Sequence, residues 1–332
     1  MTQIARACGV SLKTVSRVLN HPDQVSTATK ERVRQAMEHY GFQVNLLAKG
    51  LRQNQTNIII VFLDRHNGEY LNSWRNVMLR YLFRHASARG LKIMVAPTDS
   101  QSFLDDDTDG FYLLSSGIAD GAVLFEYAEQ DKRIEYFRRT GTSYVVLGQP
   151  REKDVPAVSL DNYDIGLTAG TFIKDSGYRK VCFFTNEEQY YSTQQRVRGL
   201  LEMVPDARIY YGIRDVQCAY EQACRLFDET VPDCIFTNGD NRFMGIYRAA
   251  IERNIRIPED LSVLSSDNLP VNEAAYPSVS SLKQDFDAIA GNCIELLQKL
   301  LYGDGPAGEI QIFEPSVVIE RESTKSKKRG EQ

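Results

Sequence analysis

The spacing of apolar positions changes near residue 57, and that change divides the chain. Before it, apolar residues recur at helical spacing in short blocks. Ile4-Ala5-Arg6-Ala7-Cys8 reads as a short helix, Gly9 as a turn, and Ser11 as the N-cap of a second helix carrying Val15, Val18 and Leu19 on one face. A third helix begins at Val25-Ser26 and runs to Gly41, with Val33, Met37 and Tyr40 on one side. After residue 57, Ile58-Ile59-Ile60-Val61-Phe62-Leu63 is continuously apolar, as in a strand covered on both faces. Strands and helices then alternate. Strands are predicted at 92–96, 121–125, 144–148, 180–185, 208–212, 233–237, 261–266 and 309–314. Helices are predicted at 71–89, 103–116, 132–139, 163–177, 194–203, 218–229, 242–254 and 286–302. Such alternation means an α/β fold with parallel sheets, here in two doubly wound, Rossmann-like units.

Helix, glycine turn and helix at the start make a helix-turn-helix, whose second helix enters the DNA major groove. Its polar face carries Lys13, Thr14, Ser16 and Arg17, donors of the kind that bond to phosphates and base edges. An ordinary surface αα-hairpin gives the same local pattern. What separates the two readings is the string from Gly9 to Arg52, above all Thr14-Val15-Ser16-Arg17-Val18-Leu19-Asn20 and Asn45-Leu46-Leu47-Ala48-Lys49-Gly50-Leu51-Arg52. It resembles the headpiece of the LacI/GalR family of bacterial transcription factors.

The resemblance implies specific roles. Leu12, Lys13 and Arg17 stand at the base-reading positions, and the Arg17 fork suits guanine O6/N7, a pairing worth about 1–3 kcal/mol of discrimination. Thr14, Ser16 and Asn20 fall to phosphates, which position without specifying. Asn45, Ala48, Lys49, Leu51 and Arg52 belong to a hinge helix lying in the minor groove. A segment this short, with Gly50 inside it, does not hold a helix alone. It folds against its twin in a homodimer, with Leu51 as the wedge that unstacks a central base step. The family places a few more residues before the first helix, so either that helix is a turn short or the true start lies upstream of Met1.

The likeness continues through Val158-Ser159-Leu160-Asp161-Asn162-Tyr163, through Ile257-Pro258-Glu259-Asp260-Leu261-Ser262-Val263, and through Ser281-Leu282-Lys283-Gln284-Asp285-Phe286. It implies a core like that of periplasmic sugar-binding proteins, two lobes holding a small polar effector at the carboxyl ends of their strands. Crossings between the lobes are expected near 149–158, 280–284 and 313–318. The expected organisation is a headpiece at 1–44, a hinge and linker at 45–56, and an effector-binding and dimerisation core at 57–318. The first lobe then comprises 57–153 and 285–313, the second 158–280 and 314–322, and 323–332 form a disordered basic tail. Residues implied for the effector are Asn67, Glu69, Tyr70, Asp161, Arg196, Asn238, Asp240, Asp267 and Gln284. Arg196 is the forked donor and Asp267 the acceptor for paired hydroxyls. The chain departs from the family pattern at Glu69-Tyr70, Gly239-Asp240, Ser265-Ser266 and Asn268, which suits a cationic or more polar effector, or a larger glycoside.

Composition fits this picture. The 332 residues are 42% hydrophobic and 25% charged with a net charge of −5, yet eight basic against three acidic side chains give residues 1–56 a charge of +5, leaving −10 on the rest. A basic head on an acidic body concentrates phosphate attraction at one end. The six cysteines and four histidines lack metal-ligand spacing, so no metal is expected. No signal peptide and no spanning run stand out, which points to a bacterial cytoplasmic protein beside the nucleoid and away from the membrane. Glycine-rich nucleotide motifs and a nucleophile elbow are missing, so neither an enzyme with catalytic residues nor a cofactor is expected.

The expected function is that of a regulator binding double-stranded, palindromic operator DNA as a homodimer. Family majority makes it a repressor released by a sugar or sugar derivative. The alternatives are a sugar-binding sensor without a transcriptional role, and a regulator answering to a nucleobase or other ligand. If Leu51 is the wedge, Leu51→Ala lowers operator affinity and DNA bending together in a circular-permutation gel assay; an unchanged bend removes that role.

Overall fold

The computed structural model describes residues 1–42, 55–64, 74–100, 102–103, 108–125, 130–303, 311–314 and 316–325. The chain forms two compact units, Met1–Thr56 and Asn57–Gln332.

In the first unit, α1 (Thr2–Ala7), α2 (Leu12–Asn20) and α3 (Thr27–His39) surround a small core of Ile4, Ala5, Cys8, Val15 and Val33. Gly9 turns the chain at φ +61°, a conformation that costs a glycine little. The side chains of Ser11 and Ser26 cap α2 and α3 by accepting from Thr14 N and Thr29 N. Met37 packs partly against the core, whereas Tyr40 leaves the expected face: it stands just past the last turn of α3, is 45% exposed and meets His39 edge to face.

The second unit holds two six-stranded sheets. The first uses β1 (Ile58–Asp64), β2 (Lys92–Thr98), β3 (Gly121–Phe125), β4 (Ser143–Leu147), β5 (Ala157–Leu160) and β11 (Gln311–Glu314), all parallel in the order β11-β5-β4-β3-β1-β2. The second uses β6 (Val181–Phe184), β7 (Arg208–Tyr210), β8 (Cys234–Thr237), β9 (Ser262–Asp267), β10 (Ser280–Lys283) and β12 (Val317–Ile319) in the order β12-β10-β9-β8-β6-β7, with β12 antiparallel.

Helices follow the strands as α4 (Trp74–Ala88), α5 (Phe111–Ser115), α6 (Lys132–Thr140), α7 (Asn162–Asp175), α8 (Tyr191–Met203), α9 (Val216–Glu229), α10 (Arg242–Glu252), α11 (Val271–Ala274) and α12 (Phe286–Tyr302). The continuous apolar strands serve two cores at once. Ile59 and Val61 face Met78, Leu82 and Cys293, while Ile60 and Phe62 face Phe111 and Phe137. Of the helix expected at 103–116, Phe111–Ser115 is helical among the described residues. It starts where Asp109 accepts from Phe111 N and, with its other oxygen, from Asp99 N.

The first crossing between lobes falls later than the sequence suggested, the second at the end of its expected window and the third inside it. Residues 158–160 belong to the first lobe, because β5 pairs with β4 and β11, and the chain crosses at Asp161. It crosses back at 284–285, since β10 lies in the second sheet and α12 packs on the first. Glu314 still pairs in the first sheet, and β12 opens in the second after residue 316. The supposed tail is also partly built in. Ser323 is buried, donates to Ser278 O and accepts from Val263 N, and Lys325 N donates to the Tyr178 hydroxyl.

Two glycines fix where α7 and α8 cross. A Cβ added at Gly166 would overlap the carbonyl oxygen of Arg196, and one at Gly199 would overlap that of Tyr163 and lie 2.7 Å from Leu167 N. No rotamer change relieves a clash with backbone. Gly199→Ala therefore destabilises the chain by about 1–3 kcal/mol, outweighing a helix-propensity gain of about 1 kcal/mol. Urea unfolding of the variant checks this, and an unchanged midpoint contradicts the close crossing.

Candidate functional site

The exposed side of α2 is set by its buried side. Val15 is fully buried, while Leu12 (49% exposed), Lys13 and Arg17 face solvent. At 100° per residue, positions 12, 13, 16 and 17 fall within roughly 140° of arc, so one helix face presents all four. The Thr14 hydroxyl lies 2.9 Å from the Ser11 hydroxyl, and its N–H bonds the same oxygen at 3.1 Å, so this side chain also serves the start of α2. Ser16 is half-buried, and the side chain of Asn20 lies outside the described residues. So do the hinge candidates Asn45, Ala48, Lys49, Leu51 and Arg52, and the effector candidates Asn67, Glu69 and Tyr70.

The remaining effector candidates gather where the strands of the second sheet end and the chain crosses between lobes. Arg196, on α8, donates from Nε to Asn162 Oδ1 at 2.7 Å and from Nη1 to Asn238 Oδ1. Asn162 in turn donates to Gln149 Oε1 at 2.8 Å, tying the end of the first lobe's strands to the start of α7. Burial lowers the Arg196 pKa, and the charge of Asp267 opposes that shift. Asp161 itself is the N-cap of α7: its Oδ1 accepts from Tyr163 N and Asp164 N. Asn162, the next residue, makes the contact with Arg196.

Asp240 does not line the cleft. It is 1% exposed, and its carboxylate accepts from Ser265 Oγ (2.5 Å), Leu269 N (2.6 Å), Asn272 Nδ2 (3.0 Å) and Ser281 Oγ (3.0 Å). Burial pushes its carboxyl up to about 6 even against these four donors. Gly239, at φ +89°, turns the chain so that Asp240 folds beneath the strand ends. Here lies the reason for Ser265-Ser266: Ser265 supports Asp240, and Ser266 accepts from Gly239 N at 2.8 Å.

Asp267 ends β9 at φ +118°, a region strained for a non-glycine residue. Asn268 beside it, at φ +55°, is held by Arg321 and Ser281. Gln284 Nε2 donates to Asp267 Oδ1 at 2.6 Å, at the second crossing. Burial, then the nearby Asp240 charge, pushes the Asp267 carboxyl up to about 8, while Arg196 and Arg242 pull it down. Arg242 was not singled out in the sequence. It opens α10, is buried, and donates to Ile213 O at 2.5 Å and to Asn186 Oδ1. Its place two residues after Gly239-Asp240, at a helix start, is the signal that would have found it. The arrangement brings a forked donor, amides and a carboxyl together at the crossings, a set of groups that suits recognition of a polar ligand.

Known proteins give the same division of the chain. Residues 1–45 match the lacI family of bacterial regulatory proteins, and residues 171–324 match the periplasmic binding protein-like domain. The HTH-type transcriptional regulator CelR of Thermobifida fusca is 24% identical over 316 residues, covering 92% of each chain. Among solved structures, the lac repressor dimer bound to operator and the anti-inducer ONPF superposes with a TM-score of 0.82 at 21% identity, covering 97% of this chain and 98% of that one. The CelR–cellobiose complex superposes with a TM-score of 0.73 at 23% identity, covering 97% and 98%. With a lacI-type helix-turn-helix at its start and a periplasmic-binding-protein-like core behind it, the chain belongs to the lacI family of bacterial transcriptional regulators.

Proposed function

We propose that this chain is a cytoplasmic repressor that binds a pseudo-palindromic operator as a homodimer and is controlled by a small sugar-derived effector between its lobes. The observation that carries this reading is the junction of Arg196, Asn162 and Gln149 at one crossing with Asp267 and Gln284 at the other. A ligand that takes over these hydrogen bonds alters the two segments about which the lobes turn. Arg151, between β4 and β5, already reaches across to Gln194 and stacks over Tyr191 on α8. Lobe rotation would then exchange one set of contacts for another rather than strain a continuous element. The cleft acts by binding, and the cellobiose held by CelR supports a sugar-type ligand.

In the headpiece, Leu12, Lys13 and Arg17 read bases, Thr14, Ser16 and Asn20 fix register on phosphates, and the 45–52 segment enters the minor groove at the operator centre. Apolar side chains left open on the core, Phe83 on α4, Val95 on the edge strand β2, Ile251 (72% exposed) and Tyr276 (89% exposed), support a second copy as partner. The sign of control follows from which lobe arrangement the ligand prefers.

Two variants separate the sites. Arg17→Ala loses at least tenfold in preference for specific over random DNA, while ligand affinity stays as in the parent. Arg196→Ala keeps operator binding in the absence of ligand and loses the response to it. Fluorescence anisotropy for DNA and calorimetry for ligand read both. Equal loss of both activities in either variant overturns the separation, and a normal response in Arg196→Ala removes it from the effector site.

A further inference from the structure

We propose that Arg321, on the segment after β12, is a positioning residue for the effector site: it grips the side chain of Asn268 and so holds the turn that sets Asp267. This rests on the cleft being the effector site. Two successive residues where β9 ends, Asp267 at φ +118° and Asn268 at φ +55°, have left-handed backbone. Strain of this kind costs about 1–3 kcal/mol at a residue and persists where the surroundings over-determine it. The main chain of the turn is held from the sheet and the loop below it. Asn268 N donates to Ser281 Oγ at 3.1 Å, and Leu269 N donates to Asp240 Oδ2 at 2.6 Å. The Asn268 side chain is held from a different element, by Arg321 Nη2, which donates to its Oδ1 at 2.8 Å.

Arg321 reaches the turn from a fixed frame. Its side chain is 10% exposed, Nη1 donates to Val279 O at 2.9 Å, and Nη2 is also 3.1 Å from Glu273 Oε1. The Glu273 side chain is 76% exposed, so this ion pair contributes little. The carbonyl of Val279 and the amide of Asn268 are what the planar fork fits, one on each side of the β9–β10 connection. The backbone around Arg321 is anchored as well. Its own N–H donates to Ser280 Oγ at 2.8 Å, Glu322 accepts from Ser278 N and Oγ, and Ser323 Oγ donates to Val263 O at 2.6 Å. The frame begins at the third crossing, where Ser316 N donates to Asp164; β12 follows on β10, and Arg321 stands two residues past its end. A shift of that crossing would therefore move the grip on Asn268, and with it Asp267.

The test is a double-mutant cycle of Arg321→Met and Asn268→Gly in the full chain, read by hydrogen–deuterium exchange with mass spectrometry and by calorimetry. Glycine takes a left-handed φ with no side chain to be held, so Asn268→Gly removes the need for the grip. Arg321→Met alone is expected to raise exchange at Asn268 N and Leu269 N roughly tenfold or more relative to the amides of β8, and Asn268→Gly to cancel most of that rise. Arg321→Lys keeps the charge without the fork and gives a smaller rise. The calorimetric probe is whichever of glucose, ribose, cellobiose and sucrose raises the parent's melting temperature most. Arg321→Met weakens its binding by about tenfold or more, and by less in the Asn268→Gly background. A residue that only anchors the C-terminal segment would raise exchange along β12 and 320–325 equally in both backgrounds. That result overturns the proposal, as does unchanged exchange at the turn in both Arg321→Met and Arg321→Lys. A turn that loosens as expected while probe binding stays at the parent's value also overturns it. Probe binding that survives Asp267→Asn removes the cleft reading itself and leaves the exchange result standing.

Discussion

The floor of the cleft depends on a carboxylate that never reaches it. Asp240 joins the end of β8 to β9 through Ser265, to β10 through Ser281, and to the following loop through Leu269 N and Asn272. Each donor is itself buried, so losing the acceptor would leave several polar groups unpaired at about 1–3 kcal/mol apiece. With these strand ends fixed, Asp267 is held in a backbone conformation it would not choose, and Gln284 meets it at the crossing. The close backbone contact of α7 and α8 sets the position of Arg196 in the same way, from behind rather than from the cleft side.

The crossings are where binding and motion meet. Asp161 caps α7 immediately after β5, Asp285 caps α12 immediately after the second crossing, and Asp164 accepts from Ser316 N at the third. These caps fix the helix ends beside the first two crossings. Asn162 and Gln284 lie at these points and also contact the two residues, Arg196 and Asp267, best placed for a ligand. On the proposed reading, a ligand at Arg196 and Asp267 would act on the same hydrogen bonds that join the lobes, which would couple binding to lobe angle.

Most of the architecture was legible in the chain, and the exceptions have physical reasons. Long apolar runs marked β1 and β3, and the last long helix matches its expected span, Phe286–Tyr302. Strands β5, β10 and β12 were missed because they have three or four residues each, and β5 and β10 carry the buried polar side chains Ser159, Ser280 and Ser281. Their omission moved the first crossing most, from before residue 158 to Asp161. In the cleft, residue type revealed which side chains are polar but not what each one faces. Asp161 and Asp240 are acids in the right segments, yet one caps a helix and the other clamps strands. Conversely, Asn162 and Gln149 carry no signal of their own until the fold brings them beside Arg196. The recognition helix was easier, because a single amphipathic turn pattern decides both its buried and its exposed face.

On the proposed function, a ligand in the core changes how tightly the headpiece holds DNA. The deciding measurement is the affinity of the full chain for an operator selected from random DNA, with and without a saturating ligand that stabilises the core. A change of at least tenfold in Kd is expected, a coupling of about 1.4 kcal/mol or more. An operator affinity that stays the same with the core saturated would contradict it.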